Sequence, residues 1–183
     1  MKRAISLILV LMLSLAMVAV AESAASPTDV ALIPAAADVK IATEPSVNLF
    51  VDAAEEAQTE AAAQLAKLEA EGKEAFFGDA AAEIDAATNG NLVALIPMGL
   101  DGYEESMGDV TVTLEVPAAE ALTAGQKVAV AVGTPNGIED GATVYEWAVF
   151  EGIADGNGAV EVTIDAATMG KIAADGALFA IYA

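Results

Sequence analysis

Apolar and polar residues alternate strictly along most of the second half of the chain, and this period of two constrains the fold more than any other feature. Val110, Val112 and Leu114 would share one face of an extended strand, while the threonines between them share the other. Similar segments recur at 91–100, 127–133, 143–152 and 159–165, separated by glycine and aspartate. Strands at this spacing indicate an antiparallel sandwich or barrel, and we expect an immunoglobulin-like β-sandwich at 91–183.

A helix-forming segment precedes these strands. Residues 52–72 are rich in Ala and Glu; Asp52 with Glu55 would cap the start and Gly72 would end the helix. The apolar stripe is mostly alanine, which buries little area, and Leu65 and Leu68 supply most of its packing. We therefore predict an α+β, mainly β fold, with this helix packed on the sandwich; a partner-binding helix is the less favoured alternative. A short helix at 166–175 and a buried final strand at 177–183 complete the prediction.

The N-terminus has the layout of a secretory signal peptide. Lys2 and Arg3 precede an apolar run at 4–20, and Ala19-Val20-Ala21 offers small residues for cleavage before Glu22. An uncleaved N-terminal membrane anchor is the alternative, because the run is only just short of a spanning helix. We predict a signal peptide at 1–21, a leader segment at 22–47, a helical region at 48–90 and the sandwich at 91–183. The protein is then secreted, extracellular or associated with the cell envelope.

The composition excludes several classes of function. The formal net charge is −21, which disfavours nucleic acid and anionic lipid as partners, so no membrane contact is expected after the signal peptide is removed. The chain has no Cys and no His, which removes Ser-His and Cys-His nucleophiles, the usual zinc sites and haem ligation. We predict no cofactor. A secreted chain without disulfides must be held by its core, and a Gram-positive or anaerobic origin fits that.

The segment ADGNGAVEVTID at 154–165 resembles the start of a calcium loop but fails as one. A helix-loop-helix site counted from Asp155 needs an Asp or Asn at position five and Gly at position six. Ala159 and Val160 occupy those positions, and the flanks alternate like strands. We predict instead a hairpin that pairs 144–152 with 159–165, with Gly156 and Gly158 at positive φ in its turn.

A calcium site pooled from several loops is a second hypothesis. Connections alternate between the two ends of an antiparallel sandwich, so the loops at 100–108, 134–142 and 166–176 should share one end. The candidate metal ligands there are Asp101, Glu104, Glu105, Asp109, Glu139 and Asp140. The simpler interpretation, which we favour, is that acidic residues populate the exposed loops of a very acidic protein. Tyr103 and Ser106, beside these acids, are likewise interpreted as parts of a structured loop.

Enzyme activity is not expected, and we predict no catalytic residues. Glycoside hydrolysis needs two facing carboxylates and aromatic surfaces for the sugar, whereas the chain has one Trp and three Tyr. Trp147 lies in the middle of an alternating strand, which is more typical of a core residue than of a sugar platform. No serine lies in a G-x-S-x-G setting, and no His is present as its base. A carboxylate-dependent hydrolase remains a remote alternative.

The second half of the chain resembles a family of small secreted modules from Gram-positive gut anaerobes, most of them uncharacterised. The resemblance rests on the runs DGYEESMGDVTVTLEVP, AGQKVAVAVG, EWAVFEG and AVEVTID, followed by a short helix and ALFAIYA. It covers about 72–183, with FFGDAAAEID at its beginning. The resemblance implies a secreted β-rich domain and transfers no catalytic or ligand-binding residues.

Together these features predict a secreted, non-enzymatic interaction or structural module of a cell envelope or its surroundings. Its partner would be another envelope protein or a polysaccharide. The alternative is a calcium- or ligand-binding domain that uses the loops at 100–108 and 134–142.

Overall fold

The computed structural model of the chain describes residues 32–139 and 141–183. The predicted signal peptide and residues 22–31 of the leader lie outside the described residues. The described strands are β1 Lys40–Glu44, β2 Asn48–Val51, β3 Leu92–Asp101, β4 Val110–Glu115, β5 Lys127–Glu139, β6 Ala142–Ala154, β7 Ala159–Ile164 and β8 Ala177–Tyr182. The α-helices are α1 Glu55–Glu71, α2 Lys73–Phe77, α3 Ala80–Ala87 and α4 Ala166–Asp175, with 3₁₀ turns at Ala36–Asp38, Glu105–Met107 and Pro117–Ala121.

All eight strands belong to one antiparallel sheet in the order β1-β4-β7-β6-β5-β8-β3-β2. The two edge strands, β1 and β2, are neighbours in sequence. Thr43 stabilises the short connection between them: its hydroxyl donates to the Val47 carbonyl at 3.0 Å and accepts from the Val47 N–H at 2.9 Å. The sheet therefore curls until its edges approach each other, in a nearly closed, barrel-like shape.

The alternating residues of the sequence fill the inside of this curled sheet. Val110, Val112, Leu114 and their counterparts on the other strands are buried together, as the period of two predicts. Helix α4 crosses one end of the sheet between β7 and β8, which lie three positions apart, and buries Met169 and Ile172 in the same core. Asp165 caps α4 by accepting the Thr168 N–H at 2.7 Å.

A second core lies outside the sheet, beneath α1, α2 and α3. These helices bury Ala61, Leu68 and Ile84 against the outer side chains of β3, β5 and β8, such as Leu95 and Leu178. The helix predicted at 52–72 corresponds to α1, but it is not the only helical element of this region, because the short helices α2 and α3 follow it. The predicted helix end is confirmed, since Gly72 at φ 82° donates its N–H to the Leu68 carbonyl.

The start of α1 differs from the expected capping arrangement. The helix begins at Glu55 after Ala54, and no side chain bonds the first turn as a cap. Asp52 lies outside the helix, where its carboxylate accepts the Ala54 N–H at 2.9 Å. None of the helices in the described part of the chain is both long and apolar enough to span a membrane.

A mainly β chain with helices, of the α+β kind, is confirmed, but the immunoglobulin-like two-sheet sandwich is not. Alternation specifies which side chains of a strand face the core, but leaves open which strands become neighbours. Here β8 inserts between β5 and β3, and β1 and β2 extend the two edges. Residues 40–44 and 48–51, assigned from the sequence to the leader and the helical region, therefore belong to the same sheet as 92–182.

A tight turn with Gly156 and Gly158 at positive φ joins β6 to β7 as predicted, but the predicted pairing of 144–152 with 159–165 is mostly wrong, because β7 pairs only with residues 152–154 of β6. Gly152, Ile153 and Ala154 pair with Val162, Glu161 and Val160, and the ladder ends there. Gly156 and Gly158 adopt φ values of 83° and 96°, as the turn requires.

Candidate functional site

The strand directions place the connections β3–β4, β5–β6 and β7–β8, which correspond to the predicted loops at 100–108, 134–142 and 166–176, at one end of the sheet. The predicted loop at 134–142 is mostly strand, because β5 extends to Glu139 and β6 begins at Ala142.

Tyr103 has a structural role at this end of the sheet. Its hydroxyl donates a hydrogen bond to the Gly108 carbonyl at 3.0 Å and lies 3.2 Å from the Ala166 carbonyl. Asp109 accepts the Ala166 N–H at 3.0 Å. These contacts tie the loop to the start of α4, as expected for a structured loop.

The other candidate ligands of a pooled calcium site do not converge. Asp101 is exposed and lies 3.4 Å from the side-chain amide of Asn48. Glu104, Glu105 and Glu139 are exposed as well, and Asp140 lies outside the described residues. Across 32–139 and 141–183 no three acidic side chains come together in a way that could hold a metal ion.

Asp155 stabilises the turn between β6 and β7. One of its carboxylate oxygens accepts the N–H of Asn157 at 2.7 Å and the N–H of Ala159 at 3.0 Å. These two backbone donors lower the pKa of Asp155, because they stabilise its charged form. The residue that suggested a calcium loop therefore acts as an acceptor for its own turn.

Trp147 packs at the boundary between the sheet and the helices. Its ring lies 4.6 Å from that of Phe77 and 5.6 Å from that of Phe76, between ring centroids. It also covers Gly133, its direct partner on β5: a Cβ placed on Gly133 would lie 2.7 Å from the indole ring. These contacts favour the core interpretation of Trp147 over a sugar platform.

Helix α1 contacts the first half of β6 through polar groups. The buried Gln64 donates from its side-chain amide to the Glu60 carboxylate at 2.8 Å and to the Thr143 carbonyl at 3.2 Å. Burial raises the pKa of nearby Tyr145 to about 12, and the negative charge of Glu60 adds to the shift. These groups hold the first residues of β6 against α1, although the sequence pattern alone did not connect the two elements.

Negative charge on the described surface is largely uncompensated. Four lysines each contact one carboxylate: Lys40 with Glu115, Lys73 with Asp85, Lys127 with Glu151 and Lys171 with Glu146. The chain has 28 acidic residues against 7 basic ones, so most carboxylates have no such partner. A field of this sign attracts cations and basic partners.

The feature that sequence reasoning missed is an open edge on β6, which we define as residues 145–149. Strand β5 pairs with β6 from Glu139↔Ala142 to Lys127↔Ile153, whereas β7 pairs with β6 only from Gly152 to Ala154. An alternating strand is expected to have neighbours on both sides, and nothing in its residues indicates where one neighbour leaves. None of residues 143–150 is fully buried, and Glu146 is exposed, which is the structural sign of this separation.

No family model, curated protein or solved structure matches the chain.

Proposed function

We propose that the chain is a secreted, non-enzymatic interaction module of a bacterial cell envelope or its surroundings, which binds another macromolecule through its surface. The signal-peptide pattern at 1–21 supports export. The resemblance of 72–183 to secreted modules of Gram-positive gut anaerobes points the same way. The partner would be a second envelope protein or a polysaccharide.

The observation that carries this proposal is the open edge of β6 at 145–149. Strands inside a sheet normally have both edges paired, and an unpaired stretch of backbone can bind an added strand. By contrast, Tyr103, Asp109 and Asp155, the polar side chains that first suggest chemistry, form hydrogen bonds with backbone groups of the fold. The arrangement supports binding by surface better than catalysis.

Export and binding can be tested on one preparation. The full chain is expressed in a Gram-positive host, the secreted protein is purified, and its N-terminus is sequenced; we expect it to begin at Glu22. Titration calorimetry then compares a cationic peptide, an acidic peptide and soluble peptidoglycan fragments, and at least one should bind. If none binds and a panel of chromogenic glycosides or esters is hydrolysed instead, the proposed function is wrong.

Calcium separates the alternative function from this one. Since the candidate ligands at 100–108 and 134–142 do not converge in the described residues, millimolar calcium should leave the Tm of the secreted protein unchanged. Magnesium at equal ionic strength is the matched control, because general screening affects both measurements alike. A calcium-specific rise of several degrees, lost in Asp101→Asn, would favour the loop site.

A further inference from the structure

The direction of the backbone groups on β6 follows from the end of the strand. Ala154 donates its N–H to the Gln126 carbonyl at 2.9 Å, so this residue faces the β5 side. Successive residues of a strand point their N–H and C=O groups to opposite edges. Tyr145, Trp147 and Val149 therefore direct theirs away from β5, towards the side that β7 has left.

Those backbone groups have no strand partner in the part of the chain that the structure describes. The ladder with β7 stops at Gly152↔Val162, while β7 continues to pair with β4 as far as Ile164↔Val110. No hydrogen bond joins Tyr145, Trp147 or Val149 to another backbone group on the open side. Five residues of open edge span about 17 Å, which suits a peptide of five or six residues.

Burial along the two strands supports the same conclusion. Residues 129–133 of β5, which pair with β6 on one side and β8 on the other, are all buried. Residues 143–150 of β6 are at most half-buried, although the helices cover one face of them. An added strand would cover this edge and bring its side chains beside Trp147 and Val149.

Charge selects the class of partner. Glu146 lies within the open edge and Glu151 two residues beyond it, on opposite faces of the strand, and their side chains are 57% and 67% exposed. Their contacts with Lys171 and Lys127 are exposed ion pairs, which contribute little to stability and are easily screened by salt. A second copy of a chain with a net charge of −21 would bring like charges together, whereas a basic peptide would reduce the repulsion.

We propose that the open edge of β6 binds an extended, basic peptide segment of a partner protein by strand addition. The inference rests on the proposed function and names the partner class for it. Main-chain hydrogen bonds to Tyr145, Trp147 and Val149 hold the segment. Lysine or arginine side chains of the segment lie on one face of the added strand, near Glu146, and its apolar side chains lie on the other face, beside Trp147 and Val149.

The test uses the secreted protein and the synthetic peptide acetyl-Thr-Lys-Val-Lys-Val-Thr-amide. We expect chemical-shift changes that saturate with added peptide, and at least tenfold slower amide hydrogen exchange at Tyr145, Trp147 and Val149. A peptide with Glu in place of Lys, and one with Pro in place of the central Val, should bind at least tenfold more weakly. Peptide binding without slower exchange at these three amides would overturn the proposal, as would no binding at millimolar peptide.

Two substitutions locate the effect. Glu146→Lys should raise the Kd at least fivefold, whereas the matched control Glu115→Lys, which also loses a strand ion pair with lysine, should not. Val149→Pro removes an N–H on the open side and leaves the donors to β5 in place; a folded spectrum with lost binding is expected. Equal effects of Glu146→Lys and Glu115→Lys would refute the site.

Two further outcomes distinguish this inference from the broader function. If peptidoglycan fragments bind and the basic peptide does not, the chain remains an interaction module but strand addition is wrong. Sedimentation provides the second outcome. If the protein is a dimer that the peptide does not dissociate, and Val149→Pro makes it monomeric, a second copy of the chain occupies the edge and the inference fails.

Discussion

Gly133→Ala is expected to destabilise the protein through its contact with Trp147. The added Cβ would lie 2.7–2.9 Å from three atoms of the indole ring, and the ring is held by Phe76 and Phe77. Overpacking of this kind costs about 1–3 kcal/mol. Restricting the unfolded chain offsets about 0.4–1 kcal/mol, since Gly133 is not among the glycines with positive φ. The net loss in the free energy of unfolding should be about 1–2 kcal/mol.

A double-mutant cycle isolates that contact. Trp147→Ala alone should cost about 3 kcal/mol, as truncation of a large aromatic does. In that background Gly133→Ala should become neutral or stabilise by about 0.5 kcal/mol, because only the effect on the unfolded chain remains. The coupling free energy between the two sites is therefore about 2 kcal/mol.

The cycle is measured by urea unfolding followed with far-UV circular dichroism, because Trp147 is the single tryptophan and its fluorescence is lost in two of the four proteins. Gly99→Ala is the matched control: its partner Phe50 is 37% exposed, so the ring can move aside and the cost should be smaller. If Gly133→Ala costs the same with and without Trp147, the two residues are not coupled. The core interpretation of Trp147 would then be wrong.

Two predictions concern pH. Burial raises the pKa values of Tyr145 and Tyr182 to about 12, so the folded protein keeps protons that the unfolded chain releases near pH 10; stability should fall between pH 10 and 12. Tyr145→Phe should flatten this decline in Tm, and an unchanged slope would contradict the assignment. The pKa of Asp155 is lowered, so its stabilisation is present above about pH 4 and is lost as pH falls through the lowered value. The Tm difference between the native protein and Asp155→Ala should therefore shrink below pH 4. The exposed control Glu161→Gln should show a smaller change of Tm difference with pH. Equal changes in the two variants would refute the role of Asp155 in the turn.

The alternation of residues predicted the strands well because burial on one face is a property of each strand by itself. Val110, Val112 and Leu114 are all buried, and the turn at Asp155 has the conformation that its glycines indicate. The neighbour relations were not predictable in the same way. The insertion of β8 between β5 and β3 depends on how α4 crosses the end of the sheet, and no local pattern specifies that.

The candidate site, too, could be predicted from the sequence only in part. Sequence reasoning placed the acidic loops at one end of the sheet, and strand directions agree. Their side chains remain apart, because Asp109 bonds the start of α4 and Asp101 lies at the exposed end of β3. The open edge of β6 arises where β7 separates from β6 and continues to pair with β4. The residues of β6 keep the same alternation beyond this point, so the separation could not be predicted from the sequence.

The short connection between β1 and β2 has a consequence for solubility. An exposed sheet edge is a template for pairing with other chains, and a chain without cysteine has no disulfide to limit partial opening. Here the two edge strands, β1 and β2, are tethered by residues 45–47. The hydroxyl of Thr43 donates to the Val47 carbonyl and accepts from the Val47 N–H, which holds this connection in place. The tether keeps the two edges near each other at this end, and loosening it would separate them and leave both free to pair with other chains.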